Sequence, residues 1–118
     1  MLQIGVTSVA HQCRDARRAV RHHLARTGIE ADHVAIVEEV VQELLVAVFD
    51  SRVTEPIILT VTPSEDLTHV SVKAPRAIEL RDEPFGLRER ILDKLAADHG
   101  QQRHANGTVD LWAAVGRG

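Results

Sequence analysis

The sequence predicts an α+β fold: a two-layer α/β sandwich whose mixed or antiparallel sheet carries helices on one face. Helical segments and strand pairs come in blocks, in the order (β)ααββαββ, without regular alternation of strand and helix. The second helical segment is apolar over more than half of its circumference, which indicates that other layers cover it. With 118 residues, 44% of them apolar, we expect a single domain over 1–118.

The first two elements are a short strand and a helix. The loose alternation of "LQIGV" (2–6) allows a short edge strand. Ser8 is a candidate N-cap, and apolar residues at helical spacing then predict a helix over 8–27. Gly28 ends this helix as a C′ glycine. The apolar stripe consists of Val9, Cys13, Ala16, Val20 and Leu24.

The second helix comes after the connector "GIEAD". Asp32 can cap it, and the pattern ends near Asp50–Arg52. Its apolar positions are Val34, Ile36, Val37, Val40, Val41, Leu44, Leu45, Val48 and Phe49. A helix with this pattern is expected to lie under other layers.

Two strands in a hairpin come next. "PIILTVT" (56–62) is rich in β-branched residues and lies between prolines, and "THVSVKA" (68–74) alternates apolar and polar residues. The turn "SEDL" joins them.

The last part of the chain predicts a third helix and a second hairpin. Leucine and isoleucine at helical spacing predict a helix in 85–100 that stops at Gly100. The step Asn106-Gly107 separates 101–105 from 108–115 and is a strong hairpin signal.

Composition narrows the class of protein. A net charge of −3 gives no general attraction to nucleic acid or to an anionic membrane. Two phenylalanines, one tryptophan and no tyrosine argue against binding single-stranded nucleic acid by stacking. One cysteine, no signal-peptide pattern and no apolar run of about 20 residues suggest a reduced, cytoplasmic protein. The seven histidines and Cys13 lack the spacing of a zinc motif, which favours scattered surface histidines and no metal site.

Glu43 is the first candidate functional residue, because it interrupts the apolar run "VVQELLVAVFD" (40–50). It could be a general base held at the mouth of a site. Alternatively, Gln42 and Glu43 could belong to a narrow exposed strip with Glu39 one turn earlier. Spacing alone favours the exposed strip, because an unpaired glutamate is rarely buried.

Two further features have a functional and a structural interpretation. The arginines of the first helix could meet an acidic partner or phosphate, although a solvated helix face explains them more simply. They are Arg14, Arg17, Arg18 and Arg21. The glycine of "PFGLRER" (84–90) could bring backbone N–H groups to a phosphate, but capping explains it equally well.

Six segments resemble the GHKL (Bergerat-fold) ATPase superfamily, and most closely the small serine-kinase domains of bacterial anti-sigma factors. "ARRAVRHHL" (16–24) resembles the first helix of that family, and "VEEVVQELLVAV" (37–48) resembles its second helix, where the pattern is Glu-Leu-Val-Thr-Asn-Ala. "PIILTV" and "LTHVSVKAP" resemble the strand pair before the Asp-x-Gly-x-Gly box. "FGLRERILDKLAADHG" (85–100) resembles the Gly-x-Gly-Leu helix, and "NGTVDLWAAV" (106–115) the closing strand. The likeness covers nearly the whole chain.

The resemblance assigns roles, and this sequence departs from several of them. Glu43 matches the glutamate that activates the substrate hydroxyl in kinase members, but Ala47 stands where an asparagine binds magnesium. Ala74 stands at or beside the aspartate that reads adenine, and Arg76 and Ile78 replace glycines. We expect these two bulky side chains to fill the nucleotide pocket, since glycine permits close approach of the backbone.

The third box of the family is only partly kept. Gly86 and Leu87 match it as a remnant of nucleotide binding, whereas Pro84 replaces the preceding glycine. With these losses we expect no catalysis, no bound cofactor and no metal.

The resemblance therefore implies a regulatory domain without kinase activity that acts by protein–protein binding, in partner-switching control of transcription. Family members bind sigma factors and anti-sigma antagonists, so the partner-binding residues are expected on the first helix, at Arg14, Arg17, Arg18 and Arg21. Because family members also pair through this region, a homodimer is implied as well.

Two alternatives remain open. One is an ATP-binding serine kinase that uses magnesium, with Glu43 as base and Asp50 or Asp82 on the metal. The other is a small-molecule sensor that reuses the old pocket. Its expected lining is Val40, Leu44, Val72 and Leu87.

Overall fold

A computed structural model describes residues 1–8, 10–76 and 87–117, with the backbone alone at 87 and 88. It confirms the α+β fold predicted from the sequence. The elements are β1 (Leu2–Val6), α1 (Ala10–Arg26), α2 (Ala31–Asp50), β2 (Ile57–Pro63), β3 (Leu67–Ala74), α3 (Leu87–Leu95), β4 (Asp98–Arg103) and β5 (Val109–Gly116).

The five strands form one antiparallel sheet in the order β1-β2-β3-β5-β4. β3 is the central strand, where Val70 lies opposite Val61 on one side and Ala113 on the other. Burial alternates along β2 and β3, because one face of the sheet meets the helices and the other stays open. β1 is an edge strand, as predicted.

The core lies between the helices and the covered face of the sheet. α2 is its main contributor, since it packs against α1, α3, β3 and β5. Val37, Val40, Val41, Leu44 and Val48 of α2 have no exposed surface. The prediction that other layers cover this helix is confirmed. No described helix is both long enough and apolar enough to cross a bilayer.

The start of α2 differs from the predicted cap. In α1, which begins at Ala10 among the described residues, the Gln12 side chain reaches back to accept hydrogen bonds from Thr7 N (3.1 Å) and Thr7 Oγ1 (2.8 Å). The predicted cap at Ser8 depends on residue 9, which lies outside the described residues. α2 has its N-cap at Glu30, so Asp32 lies in the first turn and the prediction that it caps the helix is wrong. Asp32 instead places a negative charge near the N-terminal end of the helix dipole.

The end of α1 and the last hairpin agree with the sequence signals. Gly28 has a φ of +78°, the left-handed conformation expected after a helix. In the hairpin, His104 N donates to Thr108 O (2.9 Å) and Gly107 N donates to His104 O (3.0 Å). Gly107 has a φ of +89°, whereas Asn106 is not in the positive region, so a three-residue loop makes the turn.

α3 is shorter than predicted, and the segment after it is a strand. The helix ends at Leu95, and Asp98–Arg103 pairs in the sheet, so the prediction of a helix that continues to Gly100 is wrong. Ala97 N donates to Ala114 O (2.8 Å), so pairing with β5 begins directly after the helix. β4 is a polar edge strand, "DHGQQR", whose pairing its own residues do not signal.

Candidate functional site

Glu43 is buried, with 8% of its surface exposed. The exposed-strip interpretation is therefore wrong for this residue, although it holds for Glu39, and Gln42 is half-buried. Helical geometry places Glu43 about 100° around α2 from Gln42, which faces α1. Glu43 therefore lies on a different flank of α2 from the flank that faces α1.

The two positions where the resemblance expects polar ligands carry buried methyl groups. Ala47 is 2% exposed and lies one turn after Glu43 on α2. Ala74 is 1% exposed and ends β3, where it pairs with Val109 of β5. Neither side chain has an atom that can bind magnesium or hydrogen-bond an adenine amino group.

Arg76 contacts the turn after α2. The expectation that it fills a nucleotide pocket stays a prediction, because other residues of that pocket lie outside the described ones. The Arg76 side chain is half exposed, its Nη2 donates to the carbonyl oxygen of Arg52 (2.8 Å), and its Nη1 lies 3.8 Å from Glu55. Arg52 lies in the turn after α2 and has a φ of +63°. The hydrogen bond from Arg76 to its carbonyl oxygen stabilises this turn. Several predicted site residues lie outside the described residues: Ile78, Asp82, Pro84, Gly86 and the side chain of Leu87.

The residues expected to line a sensor pocket lie in the packed core. Val40, Leu44 and Val72 have no exposed surface and belong to one continuous apolar cluster.

The sequence suggested that the histidines are scattered on the surface, but one of them, His33, is buried. His33 is 5% exposed, and its Nε2 lies 2.7 Å from Oγ1 of the fully buried Thr68. Burial lowers the pKa of His33, and the charge of Arg117 lowers it further. Helical spacing could have signalled this, because His33 shares a face with Val37, Val40 and Leu44.

Two other histidines pair with carboxylates. His99 Nε2 lies 2.6 Å from Asp93 Oδ1, and His104 Nε2 lies 2.8 Å from Asp110 Oδ2. Within residues 1–8, 10–76 and 87–117, no three His, Cys, Asp or Glu side chains come together as a metal site would require.

Three of the four predicted partner-binding arginines share one flank of α1. Arg14, Arg17 and Arg21 are spaced by three and four residues, which places them in one row along the side that faces α2. Arg21 Nε donates to Glu38 Oε1 of α2 (3.0 Å). Arg18 lies roughly opposite the buried stripe of α1 and is exposed, so it stands apart from this row. We call Arg14, Arg17 and Arg21 the basic row.

A groove of about 370 Å³ runs between the N-terminal half of α1 and the C-terminal half of α2. Its residues from the α1 side are Ser8, Ala10, Cys13, Arg14 and Arg17, and those from α2 are Gln42, Leu45, Val46, Phe49 and Asp50. The floor is apolar and two arginines of the basic row border it. Sequence reasoning missed this groove, although Gln42, Val46 and Phe49 recur at helical spacing on one flank of α2.

Two polar groups of α1 are partly enclosed at the groove. The Nε of Arg17 is buried and has no hydrogen-bond partner within the described part of the chain. The thiol of Cys13 donates a weak hydrogen bond to the carbonyl of Thr7 (3.7 Å), and burial raises its pKa although Arg17 acts in the opposite direction. The thiol therefore stays protonated at neutral pH, which argues against a nucleophilic role.

The open face of the sheet carries an aromatic pair. The rings of His69 and Trp112 stack with centroids 5.8 Å apart and planes 16° from parallel. Gly100 of β4 lies under the indole, where a Cβ atom would come within 3.3 Å of the ring.

Comparison with known proteins finds a likeness of fold. The chain is similar to the crystal structure of the RsbU and RsbW domains of a Mycobacterium tuberculosis protein, with a TM-score of 0.65 and 16% identity over 97% of this chain. The chain spans only 31% of the length of that protein. At this identity the likeness shows the fold alone. No protein-family model matches the chain. No curated protein sequence matches it either.

Proposed function

We propose that this chain is a non-catalytic regulatory domain that works by protein–protein binding in partner-switching control, and that its partner is a sigma factor or an anti-sigma antagonist. The observation that carries the proposal is the basic row of α1, which borders an apolar groove at its N-terminal end. The likeness of fold to the RsbU and RsbW domains also supports a regulatory role.

Charge is concentrated on α1 although the chain as a whole is acidic. The helix contains five arginines and one aspartate, against a net charge of −3 for all 118 residues. A surface of one sign steers an oppositely charged partner and raises the association rate. The partner surface is therefore acidic.

We propose that the chain has no catalytic activity because two positions expected to bind the nucleotide and its metal lack suitable side chains. Ala47 and Ala74 are buried methyl groups where the resemblance requires an asparagine and an aspartate. Without an asparagine at position 47, one ligand is missing for the metal that neutralises the charge of a transferring phosphoryl group.

The partner proposal is tested by titrating purified sigma factors and anti-sigma antagonists of the source organism against the chain. Replacing Arg14, Arg17 and Arg21 with glutamate should weaken binding at least about tenfold, and raising the salt concentration should weaken wild-type binding. The matched control replaces three exposed cations elsewhere, Lys73, Lys94 and Arg103, with the same change of charge. Equal binding by both triple variants would contradict the proposed face, and absence of any binder in the panel would contradict the proposed partner class.

A variant ATP-dependent kinase is the second candidate, and the burial of Glu43 is the observation in its favour. It requires nucleotide binding, and a ligand at 100 times its Kd adds about 2.7 kcal/mol to the free energy of unfolding. For a chain of this size, that is a rise in melting temperature on the order of 10 °C. We expect no rise with millimolar Mg-ATP, and a clear rise would favour the kinase.

A further inference from the structure

We propose that the groove between α1 and α2 is the seat for one apolar side chain of an acidic amphipathic helix in the partner. This inference rests on the proposed function and names the chemistry of the partner segment. The groove has the size and the mixed lining of a small binding pocket, with about 370 Å³ of space.

The lining determines what can occupy the groove. Leu45, Val46 and Phe49 of α2 provide the apolar surface, and Val46 and Phe49 are only partly buried by the rest of the chain. An inserted leucine or phenylalanine would remove this surface from water, the main source of affinity for anchor residues.

The rim determines the charge of the occupant. Arg14 and Arg17 border the groove on the α1 side, and the buried Nε of Arg17 has a hydrogen available for an acceptor. A carboxylate one turn from the apolar anchor would reach these guanidinium groups, since residues three or four apart share a helix face. Asp50 at the end of α2 lines the same groove, so the acidic residue must lie toward α1 rather than toward Asp50.

The geometry of the groove favours a helix as the partner segment. Two helices make its walls, and an amphipathic helix laid into such a groove presents anchors at positions i, i+3 and i+4. Charge complementarity between this helix and the basic row would orient it along α1.

The test uses a synthetic acidic helical peptide with leucine on one face flanked by glutamate, and a matched peptide with glutamine in place of leucine. Ala10 is exposed and lines the groove, so Ala10→Trp should fill it without disturbing the core. Val46→Trp fills it from the other wall. The control is Ala35→Trp, at an exposed position of α2 that does not line the groove. Thermal melting checks that each variant is folded.

We expect the leucine peptide to bind the wild-type chain and Ala35→Trp alike, and to bind either groove-filling variant at least about tenfold more weakly. The glutamine peptide should lose affinity by a similar factor. Unchanged binding to both groove-filling variants, or no binding of the leucine peptide to the wild-type chain, would overturn the inference. One outcome is that replacing the basic row weakens binding of a sigma factor or antagonist while filling the groove leaves it unchanged. That result would support the proposed function and contradict the inference that the groove binds an apolar side chain. If neither change matters, both fail.

Discussion

His33 Nε2 and Thr68 Oγ1 lie 2.7 Å apart inside the core and join the first turns of α2 to the start of β3. His33 is 5% exposed and Thr68 has no exposed surface. The backbone of Gly116 and the charge of Glu30 act to raise the pKa of the ring. Burial is the largest effect, however, and with Arg117 it lowers the pKa of His33. Folding therefore favours the neutral ring.

Acid should destabilise the fold through His33. A histidine with a lowered pKa in the folded state gains a proton on unfolding once the pH falls below about 6.5, its value in an unfolded chain. The free energy of unfolding should therefore decrease as the pH falls below about 6.5. Denaturant titrations across this range should show a flatter pH dependence for His33→Gln than for the wild type.

His23 should add to this pH dependence in the same direction, because burial lowers its pKa, with further lowering by the N-terminal amine and Arg26. The double replacement of His33 and His23 should flatten the profile more than either change alone. His11→Gln, at an exposed position, serves as the control. A wild-type slope in His33→Gln would contradict the role assigned to His33.

Removing the hydroxyl group from Thr68 should leave the buried imidazole short of one partner. Thr68→Val keeps the shape of the side chain but deletes the oxygen, and the cost of an unsatisfied buried polar group is about 1–3 kcal/mol. Denaturant unfolding measures it. Thr62→Val is the matched control, because Thr62 is exposed on β2 and should change the free energy by only about 0.5 kcal/mol or less. Equal losses at the two positions would mean that the hydrogen bond contributes little.

Local patterns were sufficient to predict most of the fold. The apolar positions of α2, the alternation of β3 and the Asn106-Gly107 step each carry their own signal, since helical spacing, strand period and turn chemistry act within a few residues. The likeness to an RsbU and RsbW structure agrees with the element order. Predictions of this kind succeed where the sequence of one segment determines its structure.

The predictions failed where a neighbouring element determines the burial or the secondary structure of a segment. Glu43 was assigned to solvent from its own helix, but α2 packs against two helices and the sheet, so less of its surface is exposed than the pattern of one helix suggests. Asp98–Gly100 was predicted as the end of a helix and belongs to a strand because β5 offers it an edge. The α1–α2 groove likewise depends on how two helices approach each other, which neither helix encodes alone.

The position of the Trp112 indole should depend on Gly100, because the ring lies against the Gly100 backbone. Gly100→Ala adds a Cβ 3.3 Å from the ring, so the indole must shift by a few tenths of an ångström. We expect a change in tryptophan fluorescence, which reports one residue since Trp112 is the sole tryptophan, and a loss of roughly 1 kcal/mol in stability. Gly5→Ala is the control, because nothing lies within 4 Å of its added Cβ. Identical spectra for the two variants would show that the contact is not tight.

Placing an asparagine at position 47 tests the proposal that the chain does not bind nucleotide. Ala47 is 2% exposed, so Ala47→Asn must place an amide in the core and should lower the free energy of unfolding by about 1–3 kcal/mol. Ala35→Asn makes the same change at an exposed position of α2 and separates helix propensity from burial. Because Ala74 still offers no carboxylate to adenine, thermal melts of Ala47→Asn should show no rise with Mg-ATP. A rise in this variant alone would mean that one missing ligand, and not the whole site, separates this chain from nucleotide binding.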